Sequence, residues 1–136
     1  MKVFIDTSAF VALLVENEQS HKKIVDKYKS YKQERATFFT SYYILDELYT
    51  RLLYFNTPNL GKHIQTIQDA INKNEITAMQ INDSLFEKSL TVFLKYSEYK
   101  ISFTDATIFV LYKDFALDEV FTLDSDFKKM RINTAF

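Results

Sequence analysis

No cysteine occurs anywhere in the chain, an absence that removes disulfide bonds, thiolate zinc sites and cysteine nucleophiles together. The only histidines, His21 and His63, leave little for imidazole ligation, so a metal here must be held by oxygen. The single glycine, Gly61, excludes P-loop and dinucleotide-binding motifs, which need several closely spaced glycines after a first strand. There is no excess of positive charge: the formal net charge is −1, so any nucleic-acid binding needs a local patch. Long apolar runs are also missing. The longest, Ala9 to Val15, is seven residues, too short for a bilayer, and Asp6 interrupts a signal-peptide reading, so a soluble, cytoplasmic protein without membrane partners is expected. What remains is a globular composition. Nearly half of the 136 residues are apolar, with thirteen Phe and nine Tyr, enough for one domain over 1–136 that buries roughly two-thirds of its unfolded surface.

Apolar patterning orders the chain into alternating strands and helices. Val3 to Ile5 reads as a buried strand that ends at Asp6, then Thr7 and Ser8 lead into an apolar helix over 9–15. Ile24, Val25, Tyr28 and Tyr31 give residues 19–33 a helical face whose other side is rich in Lys. A strand is expected at 36–39. Thr40 and Ser41 then offer a cap for a helix over 42–54, striped by Ile44, Leu45, Leu48, Leu52 and Leu53. The segment 56–61 holds the only Pro and the only Gly and reads as a turn, and Ile64, Ile67 and Ile71 mark the second arm of a helical hairpin. Residues 76–81 alternate like a strand, and Ser84 with Glu87 has capping-box spacing before a helix carrying Phe86, Leu90 and Phe93. Ser102 to Asp105 opens an apolar helix through about Ala116. A strand at 119–123, a turn with Asp124 and Asp126, and a last strand near 131–133 complete the pattern. This order predicts an α/β fold on a mainly parallel sheet.

Topology then places the acids. In such a sheet, helices that follow or precede strands start at the strands' carboxyl edge, where open α/β sheets bind ligands. Asp6, Asp105 and Asp124 fall on that edge, and Glu47 lies within about two turns of its helix start, roughly 8 Å along the axis. Each acid has a plain structural role too. The three aspartates are in capping positions, and Glu47 has an i,i+4 partner in Arg51. Their coincidence on one edge favours a site, since clustered carboxylates resist joint ionisation unless a hard cation such as Mg²⁺ or Mn²⁺ joins them. Thr7, Ser8, Ser102 and Thr104 supply neighbouring hydroxyls.

The stretches Phe4-Ile5-Asp6-Thr7-Ser8, Ser102-Phe103-Thr104-Asp105-Ala106 and Thr122-Leu123-Asp124-Ser125-Asp126-Phe127, with isolated Glu47 between them, resemble the successive motifs of PIN-domain ribonucleases, and in particular VapC-like toxins of VapBC toxin–antitoxin pairs. The resemblance implies a Rossmann-like three-layer α/β/α domain with about five strands, and RNA cleavage assisted by Mg²⁺ or Mn²⁺. By position, Asp6, Glu47 and Asp105 would form the metal-binding core and Asp124 a further ligand, with Asp126 its competitor. Thr7 and Thr104 would position water or ligands, and one or two metals are both compatible with this set. Phosphate contacts are expected from Lys128, Lys129 and Arg131 beside the fourth acid. Arg51 would contact a phosphate or orient Glu47. The stretch Lys22, Lys23, Lys27, Lys29, Lys32 and Arg35 could also supply phosphate contacts, although a solvated face is the better reading of it. The resemblance also implies an antitoxin partner and a homodimer; Tyr42, Tyr43, Tyr49, Tyr54 and Phe55 supply more aromatic surface than one helix face buries. A receiver domain would need paired acids near the first strand, and a haloacid-dehalogenase phosphatase an Asp where Ser8 stands. A PIN-like module that binds without turnover is the remaining alternative.

Overall fold

The computed structural model describes residues 1–55 and 58–136. Its elements are β1 (Lys2–Ile5), α1 (Thr7–Leu14), α2 (His21–Gln33), β2 (Thr37–Ser41), α3 (Tyr42–Tyr54), α4 (Leu60–Asn72), β3 (Ile76–Met79), α5 (Asp83–Lys95), α6 (Phe103–Asp114), β4 (Glu119–Phe121) and the short α7 (Asp126–Lys129). A single 3-10 turn, Ser97–Tyr99, separates α5 from α6. The expected turn at 56–61 begins at Asn56 and Thr57, outside the described residues. Gly61 itself lies inside α4, where an added Cβ would meet nothing within 4 Å, so it is not a turn residue.

The four strands are all parallel, in the order β3-β2-β1-β4. Val3, Phe4 and Ile5 of β1 are completely buried, as a central strand covered on both faces must be. The chain moves from β1 through β2 to β3 in one direction and then crosses back to β4 on the other side of β1. With right-handed crossovers, that reversal puts α1–α4 on one face and α5–α6 on the other, giving the expected three layers. Accordingly α1 packs on α2 and α3, and α5 on α6. Where a fifth strand was expected near 131–133, the chain makes only an isolated parallel bridge between Val120 and Thr134. Arg131 adopts φ 58°, a left-handed conformation that cannot continue a ladder, so the strand never extends.

Edge-to-face contacts of Tyr31 with Phe38 and Phe121 tie α2 to the sheet, and the Tyr31 hydroxyl donates to Glu119. Buried Phe127 anchors α7. The reversal of chain direction falls between the carboxyl ends of β1 and β4, which is where Asp6 and the loop 122–126 emerge.

Candidate functional site

Asp6 follows the buried strand β1 and caps α1, its Oδ1 accepting the Thr7 backbone N–H at 2.8 Å. Its other oxygen accepts the Thr122 hydroxyl at 2.7 Å, so both ends of the carboxylate are fixed. The capping role and the site role thus belong to one side chain. Because Thr122 has one proton and gives it to Asp6, Ser8 must be the donor in the 3.2 Å contact between the two hydroxyls. Ser8 Oγ in turn accepts from Leu123 N–H at 2.9 Å, and Thr122 Oγ1 accepts from Asp124 N–H at 3.0 Å. Asp124 Oδ1 accepts from Asp126 N–H at 2.8 Å. The loop after β4 is therefore laced to the end of β1 by hydroxyls.

Asp105 stands in the first turn of α6, locked by a reciprocal capping box. Its N–H donates to Ser102 Oγ at 3.0 Å, and its Oδ2 accepts from Ser102 N–H at 3.3 Å. One carboxylate oxygen each from Asp105, Asp124 and Asp126 lie within 4.8 Å of one another. Burial pushes the Asp105 carboxyl up to about 7, with further upward pressure from the charges of Asp6 and Asp124. Burial likewise raises Asp6 to about 6; the bonds from Thr122 and Thr7 act in the opposite direction, and the charges of Glu47 and Asp124 add to the rise. These four acids thus feel one another across the carboxyl edge. Such a group is short of positive charge, and its all-oxygen donor set suits a hard divalent cation.

The structure brings Asp6, Asp105, Asp124 and Asp126 together and sets Glu47 nearby, on α3, with Arg51 Nη1 at 4.0 Å. Both partners of that pair are about half exposed and the contact is long, so it adds little stability. Thr104, with Glu47, Arg51, Tyr43 and Phe103, lines a groove of about 500 Å³ beside the acids. Thr7 is buried, and its hydroxyl is the only buried side-chain polar atom among the described residues without a hydrogen-bond partner. Of the expected phosphate contacts, Lys129 is paired to Asp126 at 2.9 Å and Arg131 lies exposed after α7. Lys128 lines a small cleft with Asp124 and Lys23. Neither histidine joins the acids: His21 Nδ1 donates to the Ala12 carbonyl at 2.6 Å, and His63 lines a cleft with Leu14, Phe55 and Pro58.

One participant escaped the sequence reading. Thr122 lay within a recognised stretch, but only the fold shows that its hydroxyl spans 116 residues to Asp6.

The PIN domain family profile matches residues 3–133. Comparison with curated protein sequences finds no match. Among solved structures, Mycobacterium tuberculosis VapC20, described as a Sarcin-Ricin loop cleaving toxin, superposes with a TM-score of 0.84 at 21% identity, covering 96% of this chain and 95% of that one. VapBC2 from Rickettsia felis, bound to a promoter DNA fragment, gives 0.71 at 12% identity, with 98% and 97% covered. FitAcB from Neisseria gonorrhoeae gives 0.64 at 17% identity, with 97% and 95% covered.

Proposed function

We propose that this chain, which belongs to the PIN-domain family, is a metal-dependent endoribonuclease acting as the toxin of a toxin–antitoxin pair. The observation that carries the reading is the convergence of Asp6, Asp105 and Asp124 at the carboxyl edge, where burial and mutual repulsion raise two of them towards neutral pH. Asp6, Asp105, Asp124 and Asp126 would hold Mg²⁺ or Mn²⁺, with Glu47 completing the acidic set. Bound there, the cation supplies Lewis-acid activation of water and neutralises charge on the phosphodiester. The chain's own residues do the positioning. Thr7 N–H and Thr122 hold Asp6 in one orientation, Ser102 holds Asp105, and the Asp124–Asp126 turn keeps its two acids side by side. With no imidazole in the site, hydrolysis by water is expected to leave a 5′-phosphate and a 3′-hydroxyl.

RNA as substrate, an antitoxin as partner and a homodimer as the working form belong to the same proposal. The role described for VapC20 supports the RNA reading, and the toxin–antitoxin complex of the Rickettsia relative supports the partner. A cavity of about 450 Å³ between α1 and α4, with an apolar floor of Phe10, Leu13, Leu14 and Ile67 and a charged side of Asp69, Lys73 and Glu75, suits an amphipathic antitoxin segment. The test is cleavage of pooled cellular RNA by wild type and Asp105→Asn, with Mg²⁺, with Mn²⁺ and with chelator. Metal-dependent cuts bearing 5′-phosphates, lost by at least a hundredfold in a folded variant, are expected. Equal or absent cleavage under every condition refutes the nuclease and leaves a binding module.

A further inference from the structure

We propose that Lys23, on α2 and far in sequence from every acidic motif, joins Lys128 in a cationic cleft that grips the phosphate backbone of the RNA beside the scissile bond. This rests on the nuclease reading above. A polyanion approaching the acids of this chain meets repulsion, and the net charge of −1 supplies no general attraction, so local cations must offset it. Several cations are already engaged. Lys129 is bound to Asp126 at 2.9 Å, Lys22 to Asp26 at 2.8 Å, Lys88 to Asp114 at 2.7 Å, and Lys27 faces Glu119 at 3.9 Å. Arg51 sits beside Glu47.

Lys23 and Lys128 have no carboxylate partner among the described residues, and the two line one cleft of about 120 Å³ together with Thr122, Asp124 and Ser125. That volume accommodates a phosphate group. The Lys23 ammonium lies 4.0 Å from the centre of the Phe136 ring, which also lines the cleft. A ring face restrains a cation without neutralising it, so Lys23 is held in place with its charge still available to an anion. The hydroxyl of Ser125 and the rim of the Asp124 loop place this cleft in direct continuity with the proposed metal ligands. A phosphate held there is next to the bond that the acids address. Lysine acts at such a position as a point charge, which favours backbone contact over base reading.

The experiment measures binding of a labelled single-stranded RNA of random sequence to the Asp105→Asn protein in Mg²⁺ across a series of salt concentrations. Each lost phosphate contact lowers the slope of log K against log salt by about 0.7 on a single strand. Lys23→Ala and Lys128→Ala are each expected to lower it by about that amount, and the double variant by about 1.4. Lys29→Ala, which removes an equal charge from the exposed face of the same helix, is expected to leave the slope unchanged. In the cleaving background, Lys23→Ala should raise KM several-fold with kcat preserved, and Lys23→Arg should restore it. If Lys23→Ala matches Lys29→Ala in slope while wild type still cleaves, the cleft assignment fails and the nuclease stands. If wild type neither binds nor cleaves RNA, both fail together.

Discussion

Thr122 is a residue on which three others depend, since its hydroxyl donates to Asp6 while accepting from Asp124 N–H and from Ser8. Thr122→Val keeps the shape and removes the hydroxyl. The bond it deletes lowers the Asp6 pKa, so the variant's Asp6 should titrate still higher and the rising limb of the pH–rate profile should move to higher pH. A stability loss of about 1–3 kcal/mol from the orphaned partners should accompany it in urea unfolding. An unshifted profile would show that Thr122 does not tune the carboxylate. The raised carboxyls also make a prediction for the metal-free protein. Asp6 and Asp105 titrate near 6 and 7 in the folded chain against 3.8 for an ordinary aspartate, so between about pH 4 and 7 the folded state binds more protons than the unfolded state. In chelator, stability should therefore fall as pH rises through that window, by about 3 kcal/mol from Asp6 and further from the less buried Asp105, and Mg²⁺ should restore it at pH 8. Asp105→Asn should flatten much of the dependence. A pH-independent urea midpoint in chelator would contradict the burial of these charges.

Among the elements, helix ends carry the cost of a chain with one glycine. Arg35, Asn74, Lys100, Ala116 and Arg131 all occupy left-handed backbone, a conformation glycine takes without strain. Ala116 follows α6 at φ 50° with its side chain exposed, so Ala116→Gly gives up no packing. It is expected to stabilise the protein by about 0.5–1 kcal/mol, read as a higher melting temperature; a decrease would mean the unfolded-chain entropy of glycine outweighs the relief. Elements with a strong internal pattern were legible beforehand. The expected helix at 42–54 is found with those bounds because a Leu/Ile stripe and the Ser41 cap, whose hydroxyl accepts from Ile44 N–H, act together. The edge location of the acids followed from strand–helix alternation. What the sequence could not convey was pairing across the chain. The tight oxygen group is Asp105, Asp124 and Asp126, and Asp6 turns both oxygens towards Thr7 and Thr122, a choice made by side-chain rotamers after the fold forms.

At the scale of the whole molecule, exposed apolar side chains gather along α3 and α5. Leu53 and Tyr54 at the end of α3 are 59% and 81% exposed, and Phe86, Leu90 and Leu94 make an i, i+4, i+8 stripe along α5 in which Leu94 is 71% exposed. Not every aromatic of α3 contributes, since Tyr49 is half-buried and accepts a 2.6 Å hydrogen bond from Gln68 on α4. Uncovered surface of this kind suits a second copy of the chain. Sedimentation of wild type at micromolar concentration should show a dimer, and Leu90→Glu with Leu94→Glu a folded monomer; a monomeric wild type would refute the proposed homodimer. No helix among the described residues is long and apolar enough to cross a membrane. The bond between Thr122 and Asp6, finally, joins positions 116 residues apart. During synthesis, Asp6 leaves the ribosome long before its partner, and domains finish folding only once their late segments emerge. Until β4 docks beside β1 the acids have no common edge, so the site is completed only by the last strand of the sheet to be made.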